Sequence, residues 1–162
     1  MGKQRTLVTR HVEFEAAHVL LGYQGRCGSC HGHSYKLEVT VSASETFRKS
    51  NEFGFVMDFK QLDSILDNYI PDHCFITNTQ NDESTPEGQI VKILEENNMR
   101  VFKMDCSPSA ENMCNKFAED IQTILDSYRL TPNSPRYIVE EIKLWETTDS
   151  HATWKRGTYE DS

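Results

Sequence analysis

Ten residues from Ser34 to Ala43 alternate without a break: Tyr35, Leu37, Val39, Val41 and Ala43 share one parity, and Ser34, Lys36, Glu38, Thr40 and Ser42 the other. A period of two buries one side of an extended segment and leaves the other in water, the pattern of a long antiparallel strand. Just before it stand His31, Gly32 and His33. On an extended backbone, side chains two apart lie on the same side, so both imidazoles suit one metal ion. His18 ends an earlier apolar run. Three neutral imidazoles with one open position are the ligand set of a catalytic rather than a structural zinc.

The earlier run alternates too. Val8, Val12, Phe14 and Ala16 oppose Thr9, His11, Glu13 and Glu15 over residues 5–16, with Arg10 the exception, which predicts a half-buried strand. Glycines at 22, 25, 28 and 32 mark residues 17–33 as a loop able to bend closely around something. After a polar loop from Glu45 to Glu52, Asp58 is placed to cap a helix with the stripe Phe59, Leu62, Ile65, Leu66, Tyr69 and Ile70, and Pro71 ends it. Cys74 to Thr77 is too short to place. Ser84 or Thr85 caps a shorter helix with Pro86 in its first turn, Glu87 available for a capping box, Ile90, Val91 and Leu94 facing inward, and Asn97 and Asn98 at its end.

Residues 99–104 form a short strand. Ser107 to Ala110 open the strongest helix, in which Cys114, Phe117, Ile121, Ile124, Leu125 and Tyr128 hold the helical period. A loop from Thr131 to Pro135 leads to a strand from Tyr137 to Thr147 and a last strand from His151 to Gly157. Two hairpins flanking helices predict an α+β fold with helices on one face of an antiparallel sheet, in one domain over residues 1–162.

Composition bounds the function. A net charge of −8 argues against a chain whose main affinity is for nucleic acid, because that affinity comes from Lys and Arg neutralising phosphates, but it is compatible with a phosphorylated small molecule. No apolar run approaches the roughly 20 residues that cross a bilayer, and the polar, basic residues 1–10 lack an apolar signal core, so the expected location is the cytoplasm. Five scattered cysteines are an odd number and suggest no disulfide framework. Cys74, Cys106 and Cys114 are expected to be small buried residues.

Several separated motifs carry a resemblance that covers nearly the whole chain. The run Phe14 to His18, Cys27 four residues before His31-Gly32-His33, Asp72-His73, Pro108 to Asn112 and Trp145-Glu146-Thr147 resemble, in order, the 6-pyruvoyl-tetrahydropterin synthase family. The gap between Cys27 and His31 is closer to its bacterial branch, the 6-carboxy-tetrahydropterin synthases of queuosine and preQ0 biosynthesis. The resemblance implies a tunnelling fold: a four-stranded antiparallel sheet per subunit, three subunits closing a β-barrel, and two barrels stacked as a homohexamer. It implies Zn2+ on His18, His31 and His33, Cys27 as the proton-abstracting base, and Asp72 and His73 as its relay partners across a subunit boundary. Glu146, helped by Ser109, would bind the pterin ring. The implied reaction converts 7,8-dihydroneopterin triphosphate to 6-carboxy-5,6,7,8-tetrahydropterin with loss of triphosphate and acetaldehyde; the alternative is triphosphate elimination to the pyruvoyl product. The chain departs from the pattern in a longer segment, about 79–105, and in Cys30, at a position usually apolar in the family.

The residue types suit that chemistry. A thiol with an ordinary pKa of about 8.5 becomes a thiolate near a cation, so Cys27 beside a metal is a reasonable base. Asp72 next to His73 can orient the imidazole for proton transfer. Glu146 shares the parity of Ile138, Ile142 and Leu144, where a charge is costly unless paired, although Glu140 shares it as well. Two rivals use the same residues. Cys27-x-x-Cys30-His31 is a c-type haem attachment pattern, which requires export. A structural Cys₂His₂ zinc knuckle from Cys27, Cys30, His31 and His33 needs more room than the tight loop between Cys30 and His33 allows.

Overall fold

A computed structural model describes residues 6–44, 54–129, 134 and 136–157. The polar loop expected at 45–52 lies outside the described residues, apart from Ser134 so does the loop at 131–135. Both long alternating runs are strands, β1 (Val8–His18) and β2 (His31–Ala43), and they extend into what the glycines had marked as loop. They pair antiparallel in unbroken register from Val8 opposite Val41 to His18 opposite His31. β5 (Tyr137–Trp145) pairs antiparallel with β2, and β6 (His151–Lys155) with β5.

The sheet has six strands rather than four. Beyond β1 lie β3 (Cys74–Asn78) and β4 (Val101–Met104), both parallel to their neighbours, giving the order β4-β3-β1-β2-β5-β6. Cys74, Phe75, Ile76 and Thr77 are all buried, so β3 carries no alternation to announce it. A register shift where Thr40 and Val41 meet β5 corrects a second expectation. Buried residues are Tyr137 and Val139 on one side of the shift, then Ile142 and Leu144 on the other. Glu140 is the extra residue: it takes a hydrogen bond from the Ser42 hydroxyl and leaves Glu146 alone among the acids on the face of Ile142 and Leu144.

Helices α1 (Phe59–Tyr69) and α3 (Ala110–Ser127) cover the face that carries Phe14, Tyr35, Leu37 and Val39. Asp58 caps α1 through the Lys60 amide, and Ser109 caps α3. Leu62, Ile65 and Leu66 are buried, whereas Phe59 at the first turn stays half exposed. The expectation of helices on one face fails for α2 (Pro86–Glu96). It crosses between parallel strands β3 and β4 on the opposite side of the sheet, where Phe75 and Thr77 point while Ile76 joins the core. The longer segment at 79–105 holds α2 and β4. Among the described residues no helix is long and apolar enough to cross a membrane.

Glu87 explains how α2 is held with few buried apolar side chains. Thr85 is the cap, so the third helical position is Gly88 and Glu87 makes no capping box. Its buried carboxylate accepts instead from the Thr77 hydroxyl (2.7 Å), the Asn78 amide (2.7 Å) and the Asn81 side chain (2.6 Å). Glu87→Ala leaves three donors unpaired and is expected to cost on the order of 3 kcal/mol in chemical denaturation, with Glu87→Gln intermediate. A variant as stable as the parent would show that α2 is held by its apolar side alone.

Candidate active site

Directly opposed residues of an antiparallel pair share a face, so the pairings His18 with His31 and Ala16 with His33 turn all three imidazoles to the α1–α3 side. Their nearest ligand atoms lie within 4.8 Å of one another. His18 Nε2 and His31 Nε2 are 3.2 Å apart, against about 3.3 Å for two nitrogens on a tetrahedral ion with bonds of 2.0–2.1 Å. The opposite ring nitrogens are occupied: His18 Nδ1–H donates to the Pro108 carbonyl and His31 Nδ1–H to the Ser29 carbonyl, each at 2.7 Å. These bonds fix tautomers whose Nε2 lone pairs face inward. His33 Nε2 is buried with no partner, a vacancy in its bonding that an ion would fill. Burial pushes the His18 pKa down to about 4, so the ring is neutral and ligand-competent near pH 7. The three residues fit a divalent metal.

Cys27 sits in a 3-10 turn, Arg26–Gly28, tied by the Leu20 amide to its own carbonyl at 2.9 Å. A Cβ at position 28 would stand 2.2 Å from the Tyr23 carbonyl oxygen, so this turn requires glycine. Cys27 is half-buried and Cys30 exposed. Among the described residues, the cluster able to hold a metal contains the three histidines and neither cysteine, so the knuckle is not assembled.

Glu146 follows β5 directly, one residue beyond the Trp145 that pairs with Lys36, and its backbone amide donates to the Ser150 carbonyl at 3.2 Å. Its carboxylate has no hydrogen bond or ion pair among the described residues. Ser109 is engaged as the α3 cap, accepting from the Asn112 amide at 3.3 Å, next to the Pro108 that holds His18. Tyr35 is the residue that strand periodicity hid. It is 1% exposed and stacks on Phe14 at 4.9 Å, and its hydroxyl lies 3.4 Å from His18 Nε2. Burial, then the charges of Glu146 and Cys27, push its pKa up. Its parity with His31 and His33 was the available signal.

Asp72 and His73 lie elsewhere. Asp72 Oδ1 accepts from the Glu15 amide at 2.9 Å and pairs with His73 Nδ1 at 2.9 Å, while the His73 amide donates to the Glu15 carbonyl at 2.7 Å. The His73 side chain is 74% exposed. It opens onto a groove of about 570 Å³ shared with Cys30, Ser34, Phe75 and Leu94, on the α2 side of the sheet. The structure thus brings His18, His31, His33 and the Tyr35 hydroxyl together and ties Asp72-His73 to the Glu15 backbone of β1.

A family model described as 6-pyruvoyl tetrahydropterin synthase matches residues 7–157. The chain belongs to this family. It is 32% identical over 136 residues to the 6-carboxy-5,6,7,8-tetrahydropterin synthase of Haemophilus influenzae, covering 78% of this chain and 94% of that one. The enzyme of that name from Rickettsia bellii is 32% identical over 86% of this chain and 92% of its own, and the one from Aquifex aeolicus 34% over 80% and 76%. Among solved structures, an uncharacterized protein from Wolinella succinogenes superposes with a TM-score of 0.68 at 16% identity, covering 96% of this chain and 100% of that one. The Caenorhabditis elegans 6-pyruvoyl tetrahydropterin synthase gives 0.60 at 18%, covering 95% and 97%. At such identities the structures show the fold alone, and it is the tunnelling fold of the family.

Within this family member, the strap at Asp72 is measurable. The Glu15 amide, with help from His73, holds the Asp72 carboxyl below its ordinary value of 3.8. A depressed carboxylate stabilises the fold above its unfolded pKa, and that contribution disappears as pH falls through the lower folded value. Asp72→Asn should therefore be less stable than the parent at neutral pH, with the gap closing below pH 3.8 in urea titrations. A gap independent of pH would place its origin outside the carboxylate.

Proposed function

We propose that the chain is a 6-carboxy-5,6,7,8-tetrahydropterin synthase, a zinc-dependent lyase that takes 7,8-dihydroneopterin triphosphate and releases triphosphate and acetaldehyde on the route to preQ0 and queuosine. One observation carries this reading: relatives of that name match most of the chain at about a third identity. The three histidines facing one point accord with it. When bound, zinc supplies a Lewis acid that stabilises the negative charge developing as a substrate C–H is deprotonated. Cys27 accepts that proton. Glu146 and Ser109 receive the N–H edge of the pterin, which gives the unpaired Glu146 carboxylate its partner. The exposed Asp72-His73 pair relays protons for Cys27 of a neighbouring subunit.

The assembly that this requires is a homohexamer of two stacked three-subunit barrels, in the cytoplasm. What supports it is a pair of open edges: among the described residues, β6 has no strand on its outer side, and β1 pairs on its outer side only at Ala16 and Ala17. Joining such edges between subunits removes unpaired backbone groups.

Incubation with 7,8-dihydroneopterin triphosphate should yield acetaldehyde together with triphosphate; triphosphate without acetaldehyde would assign pyruvoyl chemistry instead. His31→Ala should lose most zinc by atomic absorption and nearly all turnover, and full zinc retention would sink the ligand assignment. Cys27→Ala should abolish turnover while keeping zinc and pterin binding, with a much smaller loss in Cys30→Ala. Mixing inactive Cys27→Ala and His73→Ala chains should restore partial activity, and no recovery after verified subunit exchange means a site built within one chain.

A further inference from the structure

A chain with a net charge of −8 repels a triphosphate at long range, so a site for one needs cations that are close and uncommitted. Most basic side chains of the fold are already engaged, among them Arg10 with Asp63, Lys103 with Glu95, Lys116 with Asp120 and Lys155 with Glu141. Two exposed arginines make no ion pair among the described residues, and each stands beside a group assigned to the reaction. Arg26 precedes Cys27 in the same 3-10 turn, with its carbonyl taken by the Ser29 amide at 3.0 Å. Arg100 stands just before β4, with its carbonyl taken by the Phe75 amide at 3.1 Å, and lines the groove onto which His73 opens. Its guanidinium interacts with the thiol of Cys74, the residue next to His73. Glu15, the one acid lining that groove, accepts a hydrogen bond from the Ser34 hydroxyl at 2.9 Å.

We propose that Arg26 of one subunit and Arg100 of the next form the phosphate subsite of a shared active site. The inference rests on the relay reading above, in which His73 of one subunit serves Cys27 of its neighbour. That meeting carries Arg100 in with His73 and Arg26 in with Cys27, so the two guanidiniums flank one substrate. A guanidinium is planar and offers a fork of donors to phosphate oxygens, which a lysine ammonium cannot reproduce. The segment at 79–105 then has a part in recognition, because α2 and β4 build the wall of the groove from which Arg100 reaches out.

Inorganic tripolyphosphate is the discriminating probe, because it carries the phosphates and no ring. Titrated calorimetrically into the assembled protein, it should bind about tenfold more weakly to Arg26→Gln and to Arg100→Gln, the size of one charge-assisted hydrogen bond. Arg100→Lys should recover only part of the loss. Both glutamine variants should keep the parent's melting temperature and its affinity for unsubstituted pterin, and should raise KM for the pterin triphosphate more than they lower kcat. Mixing the two glutamine variants, with subunit exchange verified, should restore a class of tight tripolyphosphate sites. A parent that does not bind tripolyphosphate, an undiminished affinity in either variant, or no tight class after exchange overturns the inference and leaves the proposed activity to its own acetaldehyde assay. Binding that depends on both arginines, in a protein that releases neither acetaldehyde nor triphosphate from the pterin substrate, keeps the phosphate subsite and removes the proposed activity.

Discussion

The register of β1 on β2 is the constraint on which the rest depends. It is set by apolar residues: Phe14 stacked on Tyr35, Val12 opposite Leu37 and Val8 opposite Val41, with Tyr35, Leu37 and Val41 wholly buried. Each such side chain contributes about 1.5–3 kcal/mol when removed from water. A slip of one residue would turn the whole set to the solvent face, so alternative registers are excluded by many times that amount. His18, His31 and His33 extend the same two strands, and their convergence follows from the packing of residues that take no part in chemistry. The site therefore needs no separate folding step. The desolvation of His18, which holds its pKa near 4, is a small debit against a core that already determines where the ring must be.

Residues with one buried and one solvated face were legible in the sequence, and those departing from that condition were not. β1, β2, β5 and β6 alternate; β3 is buried on both sides and shows no period. The single extra residue at Glu140 scrambled the parity of β5, because alternation presumes an unbroken ladder and the shift at Thr40 and Val41 becomes visible only with the partner strand in place. α2 was recognisable from Thr85 and Pro86, but the face it covers was not, since its main anchor is a buried carboxylate taking hydrogen bonds from Thr77, Asn78 and Asn81 rather than an apolar stripe. In the site, the His-x-His spacing was informative because it sits on a strand. Tyr35 was concealed by being a good core residue as well as a polar one.

Asp72 and His73 pose a different problem, because opposite faces of a strand carry side chains that diverge. Packed layers on either side of a sheet lie about 10 Å from it, whereas proton transfer needs heavy atoms about 3 Å apart. The His73 imidazole opens onto the groove on the α2 side of the sheet, so the relay role proposed for it looks to the Cys27 of a neighbouring subunit. Packing does not explain its conformation: His73 takes φ +52°, a left-handed backbone that costs an ordinary residue about 1–2 kcal/mol, while its side chain lies mostly in solvent. Two Glu15 backbone contacts and the Asp72 carboxylate hold it there. Strain maintained by three hydrogen bonds to present an exposed imidazole gains the single chain nothing in packing. It acquires a purpose if a second copy approaches that face, so the same β1 that aligns the metal ligands on one side also fixes, through Glu15, the group offered to a neighbour on the other.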